Sequence, residues 1–134
     1  MLLSILLPSV AVADRRKPIR ETYDVAAAPA PLAVSPSGWG CLDGIEGVHK
    51  VTKKFSVPWD GTLTATVKGF RGDWDIYAVD EYDLVVAYAN HGVSQLALDE
   101  PDTLKYRARA GEQIRIVICN YLGGPTATGE YVFK

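Results

Sequence analysis

Residues 55–79 read FSVPWDGTLTATVKGFRGDWDIYAV, and they show a pattern that runs through the chain from Thr52 to Lys134. Threonines alternate with Leu63, Ala65 and Val67, which directs one set of side chains toward a core and the other toward solvent. The preceding Pro-Trp-Asp-Gly supplies the backbone angles of a tight reversal. No helical period interrupts these runs, so the sequence predicts an all-β protein built as an antiparallel β-sandwich.

The same alternation predicts eight strands between Trp39 and the end of the chain. They cover His49–Val57, Thr62–Val67, Asp73–Val79, Asp83–Ala89, Val93–Leu98, Thr103–Arg109, Gln113–Asn120 and Gly129–Lys134. In the sixth of these, Lys105, Arg107 and Arg109 form a basic stripe on the outer side. In the seventh, inward isoleucines place Cys119 on the opposite, outer face.

The amino-terminal part predicts an exported protein. Residues 1–13 are uncharged, rich in Leu, Ile and Val, and end in Ala-Val-Ala, which is typical of a signal peptide cleaved before Asp14. The alternative is a buried amino-terminal strand. The segment is shorter than the roughly 20 apolar residues that a membrane span needs, so we expect no membrane anchor. The predicted location is therefore secreted and extracellular.

Two further segments follow. Residues 14–38 are rich in proline and alanine, which indicates a linker or a strap along the domain, with Thr22–Val25 as a possible edge strand. Residues 39–134 form the predicted sandwich domain. The whole chain has 134 residues, 48% hydrophobic content and a net charge of -2, values typical of one globular domain. With 14 basic and 16 acidic residues it lacks the positive excess that nucleic acid requires, and we expect a monomer.

Cys41 and Cys119 are the two cysteines of the chain. In an oxidising compartment they are expected to form a disulfide bond, and the alternative is two free, buried thiols. Their separation of 78 residues would give up to about 4 kcal/mol of stabilisation in the loop-entropy model.

Several motifs resemble one family. They are Phe55-Ser56-Val57-Pro58 with Gly61-Thr62-Leu63, then Gly72-Asp73-Trp74-Asp75-Ile76-Tyr77, then Asn120-Tyr121-Leu122-Gly123-Gly124 before Gly129-Glu130-Tyr131-Val132-Phe133. Their order and spacing resemble the bacterial pre-peptidase C-terminal (PPC) domain over roughly Val51 to Lys134. The resemblance implies a jelly-roll-like β-sandwich with a non-catalytic accessory role, in which some relatives bind collagen or polysaccharide and some hold calcium. The chain departs from the family's usual setting because no enzyme domain lies beside it and because it adds the two cysteines.

Acidic residues form a candidate calcium site, because calcium takes six to eight oxygen ligands. Alternation places the first two carboxylates of the third predicted strand on one outward face, and others lie in nearby turns. The alternative is that these side chains solubilise the turns and accept backbone hydrogen bonds there. The candidate ligands are Asp73, Asp75, Asp80, Asp43 and Glu46. We expect no other cofactor.

Catalysis is not predicted. His91 and Ser94 lie close in sequence, yet a nucleophile needs a separate base and an oxyanion donor array, and no Gly-x-Ser-x-Gly motif is present. A small hydrolase is the third hypothesis after the two binding roles below.

Aromatic residues give the strongest indication of binding, because rigid rings offer large contact area at small entropic cost. The candidate ligand-binding residues are Tyr77, expected to face outward, with Tyr121 and Trp59. For each ring the alternative is a cover over the core. The expected function is a secreted binding module for an extracellular polymer, either polysaccharide or fibrous protein. The alternative is an interaction protein that binds another secreted protein through a sheet edge or the basic stripe.

Overall fold

The structure, a computed structural model, describes residues 16–30, 35–89 and 101–134. The predicted signal peptide and the predicted strand Val93–Leu98 lie outside these residues. Within them, no helix has the length and apolar character that crossing a membrane would require.

The described residues form eight strands and one short 3₁₀ helix, which confirms the predicted all-β class. The 3₁₀ helix covers Gly40–Asp43. The strands are β1 Ile19–Ala26, β2 Lys50–Ser56, β3 Gly61–Lys68, β4 Gly72–Val79, β5 Val85–Ala89, β6 Asp102–Ala108, β7 Gln113–Gly123 and β8 Thr126–Phe133.

The strands make two four-stranded antiparallel sheets, the first in the order β1-β8-β3-β6 and the second in the order β2-β7-β4-β5. In both sheets each strand of the first half of the chain pairs with its counterpart from the second half: β1 with β8, β2 with β7, β3 with β6 and β4 with β5. One long hairpin folded over into two layers produces this order, which is that of a jelly roll. The jelly-roll-like β-sandwich is therefore confirmed.

Strand β1 contains Thr22–Val25, the possible edge strand within residues 14–38, and extends it in both directions. Part of that segment is neither linker nor strap, because all eight residues of β1 pair with β8 at one edge of the first sheet. Tyr23 lies over Gly129 of β8 so closely that a Cβ atom on the glycine would be 2.6 Å from the ring. Glu21 also points inward, where it pairs with Lys53 of β2 and accepts a hydrogen bond of 2.8 Å from Tyr131. The edge strand thus closes one side of the sandwich through polar contacts between the two sheets.

The core lies between the sheets and follows the predicted alternation. Leu63, Ala65 and Val67 are fully buried, as are the three inward isoleucines of β7. Trp74 is also buried in full, and its indole N–H donates to the carbonyl of Gly124 at 3.1 Å. The buried aromatic and branched side chains form one continuous cluster that supplies most of the apolar area removed from water.

The buried side-chain amide of Asn120 fastens residues 27–30, the segment that follows β1, to the end of the sandwich. The Asn120 side chain donates to the carbonyl of Ala27 at 2.9 Å and to that of Gly124 at 3.0 Å. Its backbone carbonyl accepts from Ala30 at 2.9 Å. Residues 27–30 therefore do run across the domain as a strap, fastened by an amide that is entirely out of contact with solvent.

Replacing this amide should destabilise the fold. We expect Asn120→Ala to lower the free energy of unfolding by about 1–3 kcal/mol, because the Ala27 carbonyl loses a buried donor and the Gly124 carbonyl keeps only the Trp74 indole. Ser56→Ala, which removes an exposed hydrogen bond of 2.7 Å to Gln113, should change it by less than about 0.5 kcal/mol. Urea unfolding of the three proteins measures both changes, and equal stabilities would contradict the role of Asn120.

Candidate binding groove

The outer face of the second sheet carries a segment that is fixed to it by a disulfide bond. Cys41 in the 3₁₀ helix and Cys119 in β7 are joined, as predicted, with their Cα atoms 5.7 Å apart. Both cysteines are fully buried. Together with Tyr77, Val79 and Val117 they form a second, smaller apolar cluster outside the sheet. The segment before β2 therefore packs on the sheet as a third partial layer.

Tyr77 is buried beneath this layer, so the expectation that it faces solvent is wrong. Alternation does place it on the outer face of β4, but only 1% of the residue is exposed. Its hydroxyl donates to the Trp39 carbonyl at 2.7 Å, and its ring meets the Trp39 ring edge-on with centroids 5.9 Å apart. Tyr77 supports the segment above it and is not available to a ligand.

A carboxylic acid is enclosed at the same place. Asp75 lies two residues before Tyr77, on the same face of β4. It is 5% exposed, and its Oδ2 atom lies 3.4 Å from the Cys41 sulfur. A disulfide sulfur carries no proton, so this contact is not a hydrogen bond. Burial, and then the negative charges of Asp73 and Asp102, raise the pKa of Asp75 to about 8. The side chain is thus a neutral acid over most of the physiological range.

Beside the disulfide-linked segment, the second sheet forms an open groove of about 980 Å³. Its apolar lining comes from Val79 of β4, Val85 of β5 and Val117 of β7, together with Leu42 and Trp39 of the segment. These side chains lie on the outer face of the strands. An outer face that contacts only solvent usually carries polar residues. The lining also carries charge, from Lys54, Arg115, Asp83 and Asp43.

Most of these charged groups are engaged within the protein. Arg115 donates to the Asp83 carboxylate at 2.5 Å and to the Asp80 carbonyl at 2.8 Å. Lys50 donates to the Leu42 carbonyl at 2.6 Å. Lys54 forms no ion pair with any residue that the structure describes. The groove is therefore apolar along its base and close to neutral at its rim.

An exposed aromatic pair lies at the side of the groove. The rings of Trp39 and Tyr88 meet edge-on with centroids 4.8 Å apart. Tyr88, on the outer face of β5, is 53% exposed, and Trp39 is half-buried and lines the groove. The pair presents two rings to a ligand, and both of them pack against Tyr77.

The other two predicted binding rings lie elsewhere. Tyr121 is half-buried at the end of β7, where its ring packs near Gly40 and the smaller apolar cluster. Trp59 is half-buried against Phe133 with centroids 5.6 Å apart, and the Arg16 guanidinium lies 4.8 Å from its ring centre. Trp59 thus covers one end of the core, which was the alternative to ligand binding for this ring.

The five carboxylates predicted to hold calcium are distributed over separate places. Asp80 accepts from the backbone of Tyr82 and Leu84 at 2.9 Å, as a turn residue does. Asp43 accepts from Ser35 and Ser37, and Glu46 accepts from Thr52. Asp73 and Asp75 are buried on β4.

Ligand atoms of three acidic, histidine or cysteine residues come within 4.8 Å of one another at one place among the described residues. That group is Asp75 with Cys41 and Cys119, whose sulfurs are joined to each other and cannot act as thiolate ligands. The structure therefore does not assemble the predicted calcium site from its five residues.

His91 and Ser94, the two residues considered for catalysis, lie outside the described residues, and the other histidine of the chain is His49. His49 accepts a hydrogen bond from the Ile45 backbone at 3.0 Å and holds a turn. Sequence reasoning missed the groove and the buried acid at the disulfide. The sequence contained one signal for them, because Cys119 and Asp75 both alternate onto the outer face of adjacent strands.

Replacing the buried acid should alter the pH dependence of stability. The folded protein keeps a proton on Asp75 up to about pH 8, whereas the unfolded chain releases it near pH 4. The unfolded state therefore binds fewer protons between these values, and the free energy of unfolding falls as pH rises through the window. We expect Asp75→Asn to be more stable than the natural protein at pH 8 by at least about 1.4 kcal/mol, the equivalent of one pKa unit.

Urea unfolding at pH 5 and pH 8, with the disulfide intact, measures this difference. Asp24→Asn is the control, because Asp24 is an exposed carboxylate on β1. An Asp75→Asn profile as steep as that of the natural protein would show that another group carries the pH dependence.

No family model matches the chain, and no curated protein matches it. The resemblance of its motifs to the PPC domain stays a prediction that rests on the residues quoted for it. The groove, with its apolar base and aromatic pair, is the feature of the described residues from which a function can be argued.

Proposed function

We propose that this protein is a secreted, non-catalytic binding module whose groove holds an extended extracellular polymer, either a polysaccharide or a fibrous protein. The observation that carries the proposal is an apolar groove on the outer face of a sheet, with the Trp39 ring in its lining and the exposed Tyr88 ring packed against Trp39. The outer face of an antiparallel sheet is normally polar when it contacts only solvent. The proposal includes an accessory role of the kind implied by the resemblance to the PPC domain.

The shape of the groove favours a chain-like ligand. Its lining comes from all four strands of the sheet and from the disulfide-linked segment, so it extends across the strands and is open along its length. Small-molecule sites are typically concave and enclose most of the ligand. An open groove of this kind suits a polymer that enters from one side and leaves at the other.

The rings supply contact that does not depend on sequence or charge. Tyr88 and Trp39 have few rotatable bonds, and Trp39 is further held by the packing of Tyr77 below it. Little conformational entropy is lost when such rings pack on a sugar face or on a peptide. The neutral rim of the groove is consistent with a ligand recognised mainly through apolar and stacking contacts.

Removing the exposed ring should weaken retention on polymers. We expect the protein to be retained on at least one of insoluble cellulose, chitin or collagen fibres, and Tyr88→Ala to weaken that binding roughly five- to thirtyfold, as loss of about 1–2 kcal/mol at an aromatic anchor does. Binding isotherms on washed polymer measure the change.

Tyr82→Ala is the matched control. Tyr82 is 76% exposed in the β4–β5 turn and makes no ring contact with another described residue, whereas Tyr88 packs against Trp39 of the groove lining. Thermal unfolding of both variants shows whether they remain folded. The proposal fails if the natural protein binds none of the polymers, or if the two tyrosine variants bind equally.

A further inference from the structure

The outer face of the first sheet, on the other side of the sandwich, carries a different chemistry. Strand register places Arg20, Val132, Thr64 and Lys105 in one row across β1, β8, β3 and β6. Arg107 lies opposite Thr62 in the adjacent row. We call this set of rows, with Thr66 and Thr103 next to them, the cationic threonine face.

Three cations of this face are free of ion pairs with the part of the chain that the structure describes. Arg20, Lys105 and Arg107 are exposed and form no ion pair with any residue in the described ranges. Lys68, at the far end of the same face, is neutralised by Glu130 at 2.8 Å. The positive charge is therefore concentrated at one end of the sheet, in a chain whose net charge is -2.

Between Arg20 and Lys105 the row carries the half-buried Val132 and the hydroxyl of Thr64, and further hydroxyl groups lie in the rows beside it. Thr62, Thr64 and Thr66 stand in file on β3, and the Thr66 hydroxyl is 2.9 Å from that of Thr103 on β6. The exposed large apolar side chains of the described residues are Ile45, Val48, Tyr82, Leu84, Tyr88 and Leu122, and none of them belongs to this sheet. Protein interfaces depend on apolar and aromatic anchors at their centre, which this face does not offer.

We propose that the cationic threonine face binds an acidic polysaccharide, with carboxylates against Arg20, Lys105 and Arg107 and sugar hydroxyls against the threonines beside them. Arg20 and Lys105 stand three strand spacings apart, about 14 Å at the usual separation of neighbouring strands. One extended acidic chain that crosses the strands reaches both ends of the row. Charge complementarity and a hydroxyl-rich surface favour this partner over an acidic protein.

The probe is polygalacturonate, and its methyl ester is the matched ligand from which the charge has been removed. We expect the natural protein to bind polygalacturonate and to bind the ester at least roughly tenfold more weakly, with affinity falling as salt rises. The double variant Lys105→Gln/Arg107→Gln should lose roughly tenfold in affinity for polygalacturonate. Affinity electrophoresis at two ionic strengths measures all of these changes.

Lys17→Gln/Arg71→Gln is the control variant, because it removes two exposed cations that belong neither to the cationic threonine face nor to the lining of the groove. Equal losses in the two double variants, or equal binding of the ester, would overturn the proposal. Polyglutamate bound as tightly as polygalacturonate, with the same loss in the double variant, would overturn it in favour of an acidic protein partner.

This inference does not rest on the groove. The Tyr88→Ala variant should keep its affinity for polygalacturonate, and the Lys105→Gln/Arg107→Gln variant should keep its retention on neutral polymers. Each surface can therefore fail its test while the other passes.

Discussion

The outer face of the second sheet depends on the covalent bond between Cys41 and Cys119. Without it, the segment before β2 would have to remain on the sheet through the packing of Trp39, Leu42 and a few hydrogen bonds. With it, the unfolded chain already has reduced conformational entropy, so less entropy is lost when the segment packs on the sheet. The groove, the burial of Tyr77 and the burial that raises the pKa of Asp75 all involve the segment that this bond attaches to the sheet.

The sandwich itself was predictable because its strands alternate between buried and exposed side chains with few exceptions. Strand β1 was predicted only as the possible edge strand Thr22–Val25, in which Tyr23 and Val25 alternate as inward residues do. Its amino-terminal half was missed because Glu21 occupies an inward position where an apolar residue is expected. The carboxylate is tolerated there because Lys53, also inward, pairs with it and Tyr131 donates to it. That compensation comes from other strands, and a local reading of the sequence cannot detect it.

The site was less predictable, for a related reason. Alternation tells which face of a strand a side chain occupies, and it placed Tyr77, Asp75 and Cys119 correctly on an outer face. It does not tell what lies over that face. The cysteine pairing held the missing information, since a bridge from Cys41 to the outside of β7 requires the intervening segment to cover part of the second sheet. Aromatic content indicated binding, but it could not distinguish rings that support the fold from the exposed Tyr88.

The back-to-back arrangement of the sheets has a mechanical consequence. Their inner faces are packed about 10 Å apart, so the groove and the cationic threonine face point in opposite directions from a thin, stiff plate. A body of this shape cannot fold both surfaces around a single strand of ligand. If both surfaces bind as proposed, the protein would join two different polymers, and binding to one would raise the effective concentration of the second surface near the other polymer.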